Sequence, residues 1–470
     1  MATTSSHPTT GRAAGFRTQD REVRVDRLDR EGELPGWLHG ALLRTGPAVW
    51  DVGDRTMRHW FDGLAMLHRF AIADGEVAYA SRMLETRAWR AARERGAIAY
   101  SEFATDPCRS LFARVASVFS PRFTDNANVN LARLGERWIA MTETPIPVQF
   151  DSETLAAAGV AYEVPGQLTT AHPHRERGSG AILNFTAHLG PRSEYRFFRL
   201  APDAAASPTA MARSTVREPG YTHSFGLTPR WLVLAELPFV VAPARLALSG
   251  RPYIENYRWR PERGLRFHLY DRATGAHHGP FATEPRFVFH HVNAYEEGDE
   301  VVVDMCTFPD AGIVEDLYLQ RLRDGGPVAP PALERYLIAP TTGAVTVRRL
   351  ADEPLELPRI NYARVNEQPY RYAWGAGIGD GWFDRVVKVD VETGETKIWH
   401  EAGCFPGEPV FVGRPGAEAE GDGALLSVVL GPDGGSFLLV LDAATLHEHA
   451  RAATPQHIPF GFHGAFSGRE

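Results

Sequence analysis

Phe267-His268-Leu269-Tyr270-Asp271-Arg272-Ala273-Thr274-Gly275 is an apolar strand that runs into a tight polar turn, and the chain repeats the pattern. Related stretches are Val148-Gln149-Phe150-Asp151-Ser152-Glu153-Thr154, Pro340-Thr341-Thr342-Gly343, Asp390-Val391-Glu392-Thr393-Gly394 and Asp442-Ala443-Ala444-Thr445. Asp bonds its own following backbone and Gly accepts a positive φ, so each stretch marks a hairpin between two strands. The last three copies lie about 50 residues apart, close to the ~40–50-residue period of propeller blades. The wider gaps from 151 to 271 and from 271 to 340 leave room for intervening blades or insertions. From the turns alone, a β-propeller and a β-sandwich with common turns both stay open.

Around these hairpins the sequence reads mostly as strands. Helical periodicity is expected at residues 86–97, 107–120 and 313–324; in the second, Leu111, Val115, Val118 and Phe119 share one face. The chain has 470 residues, 44% of them hydrophobic and 23% charged, which suits a folded globular protein. A net charge of −8 with no basic cluster argues against a nucleic-acid partner. Cys108, Cys306 and Cys404 are scattered and give neither a disulfide framework nor a zinc spacing, as in a reducing compartment. No run approaches the ~20 apolar residues of a membrane span, and the start lacks a secretory h-region. A cytoplasmic protein is expected, with a polar disordered tail over residues 1–19 and a single domain over 20–470. Lys388 and Lys397 are the only lysines against many arginines, a bias expected of a GC-rich bacterium.

Four short histidine segments carry the chemistry. They are Thr170-Ala171-His172-Pro173-His174, Thr222-His223-Ser224-Phe225-Gly226, Phe289-His290-His291-Val292-Asn293 and Phe460-Gly461-Phe462-His463-Gly464. None has the helical spacing of a His-Glu-x-x-His metal motif, so spacing does not join them. Their order and flanks resemble the carotenoid cleavage oxygenases, and the resemblance runs from about residue 20 to the C-terminus. It extends to Trp60-Phe61-Asp62-Gly63-Leu64-Ala65-Met66-Leu67, Asp106-Pro107-Cys108, Thr124-Asp125-Asn126-Ala127-Asn128 and Leu355-Glu356-Leu357-Pro358-Arg359. These motifs look closer to the retinal-forming and isomerohydrolase branch than to the plant enzymes.

The resemblance implies an all-β, seven-bladed β-propeller with a helical and loop cap over the active-site face. It also implies Fe(2+) held by His172, His223, His290 and His463, with Glu143, Glu356 and Glu408 orienting His223, His290 and His463 respectively, and His172 without a carboxylate. Ligand histidines usually donate their second ring N–H to such a partner. Thr142 resembles a threonine that helps steer dioxygen. Phe61, Phe103, Phe289 and Phe462 are candidates to line a dry aromatic channel for an apolar polyene. His174, His291, His59 and His68 are read as structural, and Cys108 as a free thiol. The implied reaction is cleavage of a conjugated C=C bond of a carotenoid or apocarotenoid by O2 into two carbonyl products of the retinal type.

Two other readings accompany it. A stilbene-type alkene-cleaving dioxygenase would need a lysine and a tyrosine on a phenolic substrate; Tyr100 could serve, but Thr142-Glu143 stands where the lysine is sought. A propeller that binds apocarotenoids without turnover is the non-enzymatic alternative. Because an apolar substrate leaves a membrane, residues 111–119 and the apolar stretch 239–248 are candidates for peripheral membrane contact.

Overall fold

The computed structural model describes residues 11–107, 124–203 and 207–468. Seven antiparallel sheets of four or more strands are arranged as the blades of a propeller, with two further two-stranded ribbons. The recurrent Asp-x-x-Thr turns sit at one place in five of the blades, between the third strand from the axis and the next. At each of four of them an aspartate Oδ1 accepts from the Thr backbone N–H, at 2.7 Å for Asp151–Thr154, 2.9 Å for Asp271–Thr274, 3.2 Å for Asp390–Thr393 and 2.8 Å for Asp442–Thr445. The long gap between positions 151 and 271 holds a complete blade, Leu168–Val216.

A blade in a propeller has a neighbour on each face, so its inner strands should be apolar on both sides. Trp231–Glu236 and Gly423–Leu430 are buried at every position. By contrast, Glu76–Met83, nearer the rim, alternates buried with half-exposed residues. Six of the hydrophobic clusters lie at the seams between successive blades, while the largest joins blades and cap. Leu131, Trp138 and Phe150 of the second blade meet Leu43 and Leu67 of the first, and Phe185 and Phe197 of the third meet Leu232 and Tyr270 of the fourth.

The ring closes twice. The C-terminal strand Gly464–Gly468 pairs with Gly40–Val49 and supplies the innermost strand of the first blade. The N-terminal Arg30–Gly32 pairs with Glu448–Ala453 and adds the outermost strand of the seventh. Between these two blades, Phe70 and Tyr79 pack on Leu426, Leu438 and Val440.

The cap differs from expectation in three places. The tail expected over residues 1–19 is corrected from Gly11 onward, because Arg12–Phe16 forms a 3-10 turn and Phe16 is fully buried. The Phe16 ring lies 5.0 Å from Trp382 and 5.1 Å from Phe460, centroid to centroid. The single helix expected at 313–324 is two short ones, Gly312–Asp316 and Leu319–Arg323. Its middle is drawn out to bond the segment before the Trp60-Phe61-Asp62 turn: Trp60 N–H donates to Leu317 O at 3.1 Å, and Leu319 N–H to Arg58 O at 2.8 Å. In the 239–248 stretch, Phe239, Val240 and Val241 are buried core, and only the helix Pro243–Leu248 reaches the surface. The expected helix at 86–97 forms as Arg87–Arg95, with Thr86 capping Trp89 N–H and Gly96 closing it in the left-handed conformation. Cys108 and the helix expected at 107–120 lie outside the described residues, apart from Pro107.

Candidate metal centre and substrate cavity

Seven blades bring seven side chains to the axis. Four blades supply a histidine and three a glutamate. His290 belongs to the innermost strand Phe287–Glu297 of the fifth blade. His172, His223 and His463 stand in the extended segments next to the innermost strands of the third, fourth and first. Glu143 follows Arg137–Met141 in the second blade, Glu356 opens Glu356–Arg359 in the sixth, and Glu408 precedes Val410–Gly413 in the seventh.

One ring nitrogen from each of the four histidines falls within 4.8 Å of the others. The closest approaches are Nε2 to Nε2, 3.0 Å for His172–His223 and 3.1 Å for His290–His463. The opposite nitrogens meet carboxylates: His223 Nδ1 is 2.6 Å from Glu143, His290 Nδ1 2.5 Å from Glu356, and His463 Nδ1 2.7 Å from Glu408. A carboxylate only accepts, so each Nδ1 is the donor and each facing Nε2 presents a lone pair. Several lone pairs converging on one point repel unless a cation lies among them, and imidazole suits transition metals. The residues present therefore fit a metal ion. His172 has no carboxylate; its backbone N–H donates to Thr170 Oγ1 at 2.9 Å, and Asn130 Nδ2 lies 3.5 Å from its Nδ1.

Burial favours the neutral ring at His172, His223 and His463. Burial, reinforced by the other three rings, pushes His172 well below the usual histidine range, and burial lowers His463 to about 4 despite Glu408. Burial alone would raise Glu408, but the Arg359 guanidinium and His463 outweigh it and hold the carboxyl at about 2. Arg359 donates to Glu408 at 2.8 Å, and Gly464 N–H donates to the same oxygen at 2.9 Å. Tyr221 OH donates to Glu143 Oε1 at 2.6 Å, so that carboxylate is held by two donors.

Beside the metal point opens a cavity of about 890 Å³, bordered by His223, His290 and His463. Its walls include Thr142 and all four expected phenylalanines, Phe61, Phe103, Phe289 and Phe462. Phe61 is their hub, with ring centroids 5.1 Å from Phe103, 5.8 Å from Phe289 and 5.1 Å from Phe462. The hallmark motifs explain its placement. Asn128 Nδ2 donates to Phe61 O at 2.8 Å, and Asn126 Nδ2 to Gly63 O at 2.9 Å. Asp62 accepts from Thr105 Oγ1 at 2.6 Å and Ala104 N–H at 2.8 Å, which ties the Phe61 turn to the Phe103 segment.

The histidines read as structural have structural partners. His174 Nε2 reaches Phe225 O at 2.8 Å, His291 Nδ1 reaches Ser224 Oγ at 2.8 Å, His59 Nε2 reaches Val314 O at 3.0 Å, and His68 Nδ1 lies 3.0 Å from Tyr79 OH. Tyr100 is not among the described residues that line the cavity, and Lys388 points to Ala444 O at 3.1 Å, near the Asp442 turn of the seventh blade. Sequence reasoning missed Tyr221, two residues before His223, and Arg359, which lay unremarked inside the Glu356 motif.

A propeller with four convergent histidines and a carboxylate behind three of them is the frame of a metal-dependent enzyme. The family model described as "Retinal pigment epithelial membrane protein" matches residues 16–468, and the chain belongs to that carotenoid oxygenase family. It is 33% identical to the mitochondrial carotenoid-cleaving dioxygenase of Macaca fascicularis, covering 93% of this chain and 90% of the relative. It is 33% identical to the beta,beta-carotene 15,15'-dioxygenase of Rattus norvegicus (96% and 90% covered) and 34% identical to the carotenoid isomerooxygenase of Galleria mellonella (93% of each). Among solved structures, a cobalt-substituted Synechocystis ACO superposes with a TM-score of 0.86 at 25% identity, covering 97% of this chain and 98% of that one. These curated relatives are animal proteins and lend no support to the bacterial origin expected from arginine usage.

Proposed function

We propose that the protein is an Fe(2+)-dependent dioxygenase that cleaves one conjugated C=C bond of a carotenoid or apocarotenoid. O2 adds one oxygen atom to each alkene carbon, giving two carbonyl products of the retinal type. The observation that carries this reading is the join between the four-imidazole point and a large phenylalanine-walled cavity. Ferrous iron, held by His172, His223, His290 and His463, would supply the redox chemistry that spin-paired alkenes lack with O2.

The chain's own residues do the rest. The cavity volume sits near the upper end of the ~300–1,000 Å³ typical of small-molecule sites. Each CH2-sized unit kept from water there contributes roughly 0.8 kcal/mol, so an apolar polyene that has left its lipid is held in the cavity rather than in solution. Phe61, Phe103, Phe289 and Phe462 line the cavity, and their π-faces favour positive charge that develops along a polyene. Thr142 places a hydroxyl on the wall near Glu143, where it limits how a small diatomic molecule is seated. Glu143, Glu356 and Glu408 keep the Nδ1 protons in place and the Nε2 lone pairs inward.

Peripheral contact with a membrane fits the same reading. No helix among the described residues is long and apolar enough to cross a bilayer. The helix Pro243–Leu248 borders the cavity through Pro243, Ala244 and Leu246, while Leu248 is 80% exposed at its end. An exposed apolar side chain at the end of a helix that borders the cavity suits a surface that takes up a lipid-dissolved substrate.

The test is anaerobic loading with ferrous iron, followed by O2 and separate incubation with β-carotene, an apocarotenal and resveratrol. Mass spectrometry should find paired aldehydes from a polyene. Cleavage of resveratrol alone would move the protein to the stilbene-type reading, and binding without any cleaved product would make it a carotenoid-binding propeller.

A further inference from the structure

A second polar pocket lies between the first and seventh blades, separate from the substrate cavity. It holds about 20 Å³ and is bordered by Arg44, His68, Gly407, Val428, Phe460 and Gly461, among others. That volume suits one water-sized particle. Arg44 is 5% exposed, and its Nη1 is buried without an acceptor among the described residues. A buried guanidinium has five N–H donors to satisfy, and leaving a buried charge unmet is costly.

The surrounding charges do not meet it. Among the described residues, no carboxylate lines the pocket. The charged groups acting on Arg44 are Glu408 and a second cation, Arg359, and Glu408 is already engaged by Arg359 at 2.8 Å and His463 at 2.7 Å. Glycines give the guanidinium its space: a Cβ on Gly407 would come within 3.2 Å of both Nη atoms, and one on Gly461 within 3.5 Å of Nη2. Of the other walls, Val428, Leu430, Ile458, Pro459 and Phe460 are apolar, and Thr45 and His68 are polar but uncharged or weakly basic.

We infer that this pocket binds a small monatomic anion of the halide class, chloride in the cell, on the Arg44 guanidinium. A halide accepts several N–H donors at once and cancels the charge that Glu408 cannot. Phosphate or a carboxylate ligand exceeds the volume, and water would satisfy donors without cancelling charge. Guanidinium is weakly hydrated, which favours pairing with a weakly hydrated anion. Arg44 stands opposite Gly464 in the first blade, one residue beyond His463, so a bound anion also keeps Arg44 from drawing Glu408 away from that ligand.

The deciding experiment is diffraction from crystals of the unmodified protein grown in sodium bromide, recorded at the bromine edge. An anomalous peak in contact with the Arg44 guanidinium is expected. A pocket with no anomalous signal, whether it shows water density or none, overturns the inference. In solution, raising chloride against gluconate at constant ionic strength should raise the Tm of the wild type but not of Arg44→Met. Equal shifts in both proteins count against the site. If Arg44→Met does not fold, the bromide result stands by itself.

Discussion

At the scale of single residues, the site is built by burying charges that answer one another. Glu408 is 1% exposed and lies between His463, Gly464 N–H and Arg359. Glu408→Gln keeps an acceptor for His463 but loses the charge that Arg359 answers. Metal affinity and turnover should each fall about 10–100-fold, as for other partners of ligand histidines. Chelator competition and steady-state rates check this, and unchanged values would mean that Glu408 does not set the ligand's orientation. Glu102, on the cavity wall, is a different case. Burial raises its carboxyl well above the ordinary value, which favours the protonated form. A raised carboxyl contributes stability that is full below the unfolded value of ~4.3 and is lost as pH rises through the folded one. Glu102→Gln cannot ionise, so its Tm relative to wild type should climb as pH rises above that range. A difference that stays flat with pH contradicts a raised Glu102 carboxyl.

At the scale of elements, closure of the ring and its cap carries the stability. Phe16 belongs to a segment far from the axis in sequence, yet it packs on Trp382 and Phe460, two residues before the Phe462-His463 pair. Phe16→Ala should cost about 3–5 kcal/mol in urea unfolding, the range for emptying a large aromatic site. A loss below 1 kcal/mol would place the N-terminal turn outside the cooperative unit. These elements also show how far sequence carries. The Asp-x-x-Thr hairpins were legible because their chemistry is local: one carboxylate bonds backbone three residues on. The tail was misjudged because Phe16 is a lone aromatic among small and polar neighbours, and the distant Trp60, Trp382 and Phe460 make it core. The 313–324 helix breaks for a similar reason, since its central backbone groups bond to residues 58–60 instead of to each other.

At the scale of the whole molecule, a ring of blades turns residues hundreds of positions apart into one centre. The four histidines and their glutamates were legible through motif resemblance, because each sits in a short segment with characteristic flanks. Arg359, Arg44 and Tyr221 were not, since arginine is normally a surface residue and nothing local announces burial. His290→Ala removes one ligand but leaves the blade seams untouched. It should abolish metal retention and turnover while the circular dichroism spectrum stays native and Tm changes modestly. Full activity in that variant would exclude the ligand set.

The most direct test of the central claim is a crystal structure of protein loaded anaerobically with ferrous iron, with anomalous data across the iron edge. One strong peak is expected on the propeller axis, in contact with the four imidazoles of His172, His223, His290 and His463. An iron peak elsewhere, or none at that point in iron-replete, reduced protein, contradicts the claim.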